Sequence, residues 1–201
     1  MTDKPTYYDI RADFWKTHWE MAMTYDEFLQ TDPENAIRWH DYDKRLPDLT
    51  EDQATRVQGY GRQMKILVYA GVWCGDCVRQ GPMFKKLAEV AGDDVELRFI
   101  DREASQELKD EVRILGATRV PIVIFLTEDF WEIAREGDRL LNIYRAKASR
   151  DVGRKFDGGI LSPRAVQAEL DEWLDLFERA IIMTKLAPPL RRRHNDQVTL
   201  I

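Results

Sequence analysis

The chain predicts an α/β fold, a central sheet flanked by helices and preceded by an all-helical extension, and three observations carry that prediction. Aromatic residues recur at helical spacing through residues 1–63, short apolar runs suited to buried strands begin at Met64, and strand-like and helix-like segments alternate from there onward. With 201 residues, 44% hydrophobic and 33% charged, the chain is long enough to bury a core without covalent staples.

In the extension, Phe14, Trp15, Trp19 and Met23 mark one helix between about Tyr7 and Met23. Thr24 with Glu27 is a capping-box pattern, and Asp32-Pro33 reads as an N-cap followed by proline at the first helical position. Pro47 ends the helix carrying Ile37, Trp39 and Tyr42, and Thr50 with Gln53 opens another that reaches about Gln58 before Gly59 and Gly61. Trp15, Trp19, Phe28 and Trp39 are expected to cover a face of the sheet or its helices; left exposed, they would instead form a partner platform.

The run Ile66-Leu67-Val68-Tyr69-Ala70 suits a strand covered on both faces. A helix from Asp76 to Ala91 follows, with a kink expected at Pro82, then a turn at Gly92 and an alternating strand over Val95, Leu97 and Phe99. Leu108, Val112 and Leu115 mark a helix stopping at Gly116. Val120-Pro121 opens a buried strand ending at Leu126, and Phe130 to Arg135 reads as its hairpin mate. The turn Gly158-Gly159 and the N-cap Ser162 precede a last helix to Lys185, whose apolar face carries Leu170, Trp173, Leu174 and Phe177. Residues 138–158, rich in Arg and Lys, fit no element. The chain thus divides into an extension (1–63), a main domain (64–186) with an insertion at 138–158, and a tail (187–201) where Arg191-Arg192-Arg193 reads as a solvated terminus.

Both cysteines lie in Trp73-Cys74-Gly75-Asp76-Cys77, between a strand and a helix. Helix-start N–H groups and the positive end of the helix dipole favour the Cys74 thiolate, the species that attacks disulfides. Zinc is the chemical rival for such a pair, but a structural site needs four ligands, and His18, His40 and His194 have no paired spacing. No metal and no cofactor beyond the redox-active pair is therefore expected. A net charge of −6 argues against a nucleic-acid surface, and no apolar run is long enough to span a membrane. The N-terminus lacks signal-peptide character, which points to the cytoplasm, where a close cysteine pair is more often catalytic, sensing or metal-binding than structural.

Taken in order, the WCGDC pentapeptide, Pro82 five residues beyond the second cysteine, and Val120-Pro121 at the start of a strand resemble the thioredoxin family, from about Lys65 to Lys185. The resemblance implies a thioredoxin-like central mixed sheet, Cys74 as nucleophile, Cys77 as resolving thiol, and a cis Pro121 whose neighbour Val120 offers backbone groups to substrate. Trp73 is placed to contact substrate and shield the thiols, and Gly75 to give the helix start room. The sequence also departs from the family. The strand carboxylate that family members bury six residues before the first cysteine is Val68 here, and Asp76 occupies the position before Cys77 where proline is common. Asp76 is a candidate replacement proton relay. Its charge is also expected to hold Cys74 no lower than about 7 and the couple at least as reducing as about −270 mV.

The expected activity is thiol–disulfide exchange, as a reductase of protein disulfides or small oxidised thiols served by an electron donor such as a thioredoxin reductase-like system. The alternative is a non-enzymatic redox-sensing or protein-binding module. The insertion is expected to border the dithiol, with Arg145, Lys147, Arg150, Arg154 and Lys155 offering positive charge.

Overall fold

A computed structural model describes residues 8–153 and 163–195. Tyr7, Arg154, Lys155, the Gly158-Gly159 turn and Ser162 lie outside the described residues. Helices α1 (Ala12–Met21), α2 (Tyr25–Gln30), α3 (Pro33–Asp43) and α4 (Glu51–Thr55) precede strand β1 (Met64–Ala70). Then come α5 (Gly75–Ala91), β2 (Val95–Asp101), α6 (Gln106–Glu111), β3 (Ile122–Thr127), β4 (Glu132–Gly137), α7 (Leu141–Val152), α8 (Pro163–Leu186) and α9 (Pro188–Arg193). The strands form one mixed sheet in the order β2-β1-β3-β4, with β1 parallel to β2 and antiparallel to β3, and β3 antiparallel to β4. This is the expected central sheet flanked by helices. Strands β1 and β3 occupy its middle and are buried on both faces, apart from half-buried Lys65, which explains their unbroken apolar runs.

Local chemistry sets the helix starts. Both capping boxes form, with the Thr24 and Thr50 hydroxyls accepting from the Glu27 and Gln53 amides and those side chains reaching back. Asp32 caps α3 and Pro33 takes its first position. Helix α5 runs without interruption through Pro82.

The extension's aromatic residues are core. Trp15, Phe28 and Trp39 are fully buried and Trp19 nearly so. Phe28 stacks on Phe99 of β2 at 5.3 Å, and Trp39 meets the same ring edge-on at 6.0 Å. Trp39 also presses against α5, where a Cβ at Gly81 would fall 1.8 Å from its ring, so the glycine is what lets the two helices approach. Its indole Nε1 donates to the Val72 carbonyl at 2.8 Å, fastening the extension to the loop that precedes the cysteines.

Several boundaries differ from the sequence expectation, each for a local reason. Helix α1 stops at Met21 because Ala22 turns extended and Met23 exchanges backbone hydrogen bonds with Phe99 (2.8 and 2.7 Å), covering an otherwise open sheet edge. Helix α4 ends at Thr55. Helix α6 ends at Glu111, where Val112 leaves helical geometry; Leu115 takes a positive φ of 52° in a tight turn and is 92% exposed. Phe130, also at positive φ, belongs to the hairpin turn, so β4 starts later than expected.

The insertion is not structureless, because Leu140, Ile143 and Ala146 place one apolar stripe inward and build α7. The tail is not simply solvated either: it forms α9, burying Leu190 and pairing Arg193 with Asp129 at 2.8 Å.

Candidate active site

Strand β1 delivers the chain through Gly71, Val72 and Trp73 to Cys74, which sits at the N-cap of α5 in extended backbone (φ −76°, ψ 125°). Its amide donates to the Gly71 carbonyl (3.0 Å), and its own carbonyl accepts from Val78 (2.9 Å), fixing the sulfur at the helix mouth. Cys74 is 8% exposed and Cys77, one turn in, 1%. Both are free thiols. Across from them the Val120–Pro121 peptide is cis, and the Cys74 thiol points at the Val120 carbonyl at 3.7 Å. Trp73 stands at the rim, 49% exposed, with the Arg102 guanidinium over its ring at 5.4 Å. At Gly75 a Cβ would meet only Arg38, at an ordinary 3.6 Å, so the space over the helix start is open. The candidate residues Trp73, Cys74, Gly75, Asp76, Cys77, Val120 and Pro121 thus converge on one spot.

The two thiols are electrostatically split. The Cys74 thiol is lowered to about 6, first by the hydrogen bond from Cys77 and then, against the penalty of burial, by the N–H groups of Cys77 and Asp76. Burial and the Cys74 sulfur push Cys77 well up. The expectation that Asp76 would hold Cys74 at or above about 7 is therefore overturned. Its opposing charge is real but is the smallest of these effects.

Asp76 is itself held by residues with little or no signature in the sequence. One Asp76 oxygen accepts from Arg79 at 3.1 Å and the other is ion-paired with Arg139. Arg79 in turn forks onto Glu169 of α8 at 2.8 and 3.2 Å, both groups buried. Arg139 also binds Asp138 at 2.9 Å, and Asp138 accepts from Arg119 at 3.0 Å and from the Tyr144 hydroxyl. An ion-pair chain thus runs from the first turn of α5 through the start of the insertion to Arg119, the residue before Val120. It ties the two loops that bracket Cys74. Both Asp76 oxygens thus lie on guanidinium groups, which makes it an anchor in this chain.

Of these partners only Arg79 left a signal, as the i,i+3 mate of Asp76 on a helix. Arg139 reaches the motif, whereas Arg150 of the expected basic cluster is spent on Asp151 at 2.9 Å on the surface. The Val68 position is filled by a fully buried apolar side chain, and the buried carboxylate of this region comes from α8.

Among the described residues no group of three or more His, Cys, Asp or Glu is arranged to hold a metal ion, and no helix is long and apolar enough to cross a membrane. His18 is engaged by the Phe14 carbonyl and the Ser105 hydroxyl, each at 2.8 Å.

A sequence profile described as thioredoxin matches residues 22–141. The chain belongs to the thioredoxin family. A thioredoxin from Malassezia sympodialis is 31% identical over 75 residues, covering 37% of this chain and 68% of that protein. Among solved structures, a protein of unknown function from Pseudomonas aeruginosa superposes with a TM-score of 0.55 at 19% identity, over 89% of this thioredoxin-family chain and 96% of that one. An HIV epitope scaffold gives 0.54 at 20% identity, over 85% and 94%. At those identities the two structures speak to the fold alone. Thioredoxin-family membership and fold support a redox function of the thioredoxin type acting on disulfides.

Proposed function

We propose that the protein is a disulfide reductase in which Cys74 is the nucleophile and Cys77 the resolving thiol. The observation that carries this is the split of the pair: a lowered thiol at the helix mouth facing the Val120 carbonyl, and a raised one buried a turn behind it. At neutral pH the Cys74 thiolate attacks one sulfur of a substrate disulfide, forming a mixed disulfide and releasing the other sulfur as a thiolate. Cys77 then loses its proton and attacks the Cys74 sulfur, closing the Cys74–Cys77 disulfide and releasing the second substrate thiolate. Two electrons pass to the substrate, and the released thiolates take up two protons. Val120 and Pro121 offer backbone to an extended substrate beside the sulfur, while Trp73 and Gly75 shape the approach.

The lowered Cys74 thiol stabilises the reduced form, so the couple is expected to be less reducing than about −270 mV, opposite to what Asp76 alone suggested. A dithiol of this kind needs an outside electron donor, which we take to be a thioredoxin reductase-like system in the cytoplasm. Insulin reduction by dithiothreitol tests the reading. Wild type is expected to accelerate insulin precipitation at least tenfold, and Cys74→Ser to lose the acceleration entirely. Equal rates with and without wild-type protein would favour a redox-sensing or binding module instead.

A further inference from the structure

Beside the dithiol, the extension, α5 and the start of α8 line a half-open cavity of about 660 Å³. That volume lies in the range of small-molecule and peptide sites. Its mouth adjoins the nucleophile by two routes. Val78 lies one helical turn beyond Cys74, and Arg38 donates from its guanidinium to the carbonyl of Trp73 at 3.3 Å.

Charge sets the cavity apart from the rest of the active-site face. Around the dithiol, Arg79, Arg119 and Arg139 are each bound to carboxylates. Arg38 and Arg45, which both line the cavity, have no carboxylate partner among the described residues. Asp41, the acid on the same wall, makes a solvent-exposed pair with Lys44 at 3.5 Å, so one carboxylate stands beside the two guanidinium groups. Tyr42 adds a hydroxyl that is buried and has no hydrogen-bond partner among the described residues. Burial and the neighbouring Glu169 charge push it up to about 12, which keeps it a neutral donor. Pro47, Val78 and Val166 supply apolar wall between these groups.

Two guanidinium groups with no carboxylate bound to them among the described residues, a hydroxyl without a partner there and an apolar wall, a turn away from a reactive sulfur, describe a site for an acid-bearing peptide whose own sulfur reaches Cys74. We propose that this cavity binds a small peptide disulfide carrying carboxylates, with Arg38 and Arg45 as its anchors and Tyr42 as a donor. The assignment rests on the disulfide exchange proposed above and gives it a substrate class. Glutathione disulfide is the accessible probe: the Cys74 thiolate would take one glutathione sulfur into a mixed disulfide and release one glutathione thiolate, and Cys77 would release the second.

Binding is measured by calorimetry at low salt on the Cys74→Ser/Cys77→Ser chain, in which no exchange can occur. Glutathione disulfide is expected to bind at least about tenfold more tightly than its tetraethyl ester, the order of one charge-assisted hydrogen bond. Arg45→Ala is expected to weaken the acid about tenfold and Arg45→Lys no more than about threefold. Equal binding of acid and ester, or of the Arg45→Ala and parent chains, would overturn the site. Carboxylate-dependent binding in a protein that fails to reduce insulin would uphold the site while refuting the reductase reading; insulin reduction without such binding would do the reverse.

Discussion

Trp39→Ala is expected to lower the free energy of unfolding by about 3–5 kcal/mol, the range for emptying a large buried aromatic site. The ring is fully buried among Tyr25, Phe28 and Phe99, with centroid distances of 5.8, 5.9 and 6.0 Å, and is pressed against Gly81 on α5. Truncation removes those contacts and also leaves the Val72 carbonyl without its indole donor. Because Val72 lies two residues before Cys74, the damage extends to the loop that aims the nucleophile. Urea denaturation reads the effect directly, and a change below about 1 kcal/mol would mean that the extension is only loosely attached. The same contact is open to attack from the other side. Gly81→Ala would drive a methyl into the ring and is expected to be destabilising by about 1–3 kcal/mol, the range for overpacking.

Glu169→Ala comes next, with an expected loss of about 3 kcal/mol, at the lower end of the range for breaking a buried pair. The Arg79 guanidinium, itself buried, would keep only Asp76, and that carboxylate is shared with Arg139. The pair itself contributes little. Burial raises the Glu169 carboxyl above the usual range in spite of the guanidinium forked onto it, while the carboxylates around Arg79 raise that group, so desolvation of the acid offsets much of the attraction. Replacing both partners, Arg79→Met with Glu169→Leu, is therefore expected to restore most of the stability lost by Glu169→Ala. Melting curves of the single and double variants distinguish this from simple loss of packing, in which the two substitutions would add.

The parts of this structure that show in the sequence are those whose cause is local. The Thr24–Glu27 and Thr50–Gln53 boxes, Pro33, and the apolar runs of β1 and β3 each act within a few residues, and each appears where its pattern lies. The dithiol itself was legible because spacing alone puts Cys74 at a helix mouth and Cys77 a turn behind. What was hidden depends on distant partners. Met23 leaves its helix only because β2 offers an open edge, and the stripe Leu140, Ile143 and Ala146 lies among enough basic residues to read as a loop. The misjudged weight of the Asp76 charge has a different origin, because the Cys77 thiol and the N–H groups of Cys77 and Asp76, all within the motif, outweigh it. What distance did hide is one of its partners, Arg139, more than sixty positions away in the chain.

The split between the two sulfurs carries the proposed chemistry, and the pH dependence of alkylation measures it. The reduced protein is pulsed with iodoacetamide across pH 4 to 10, and the labelled cysteine is located by mass spectrometry. A thiol lowered in the fold is deprotonated from its lowered value upward, so Cys74 labelling is expected to be half-maximal near pH 6 and to level off above it, with Cys77 protected throughout. Labelling of Cys77 first, or a single rise of both cysteines near the free-thiol value of about 8.5, would contradict the account.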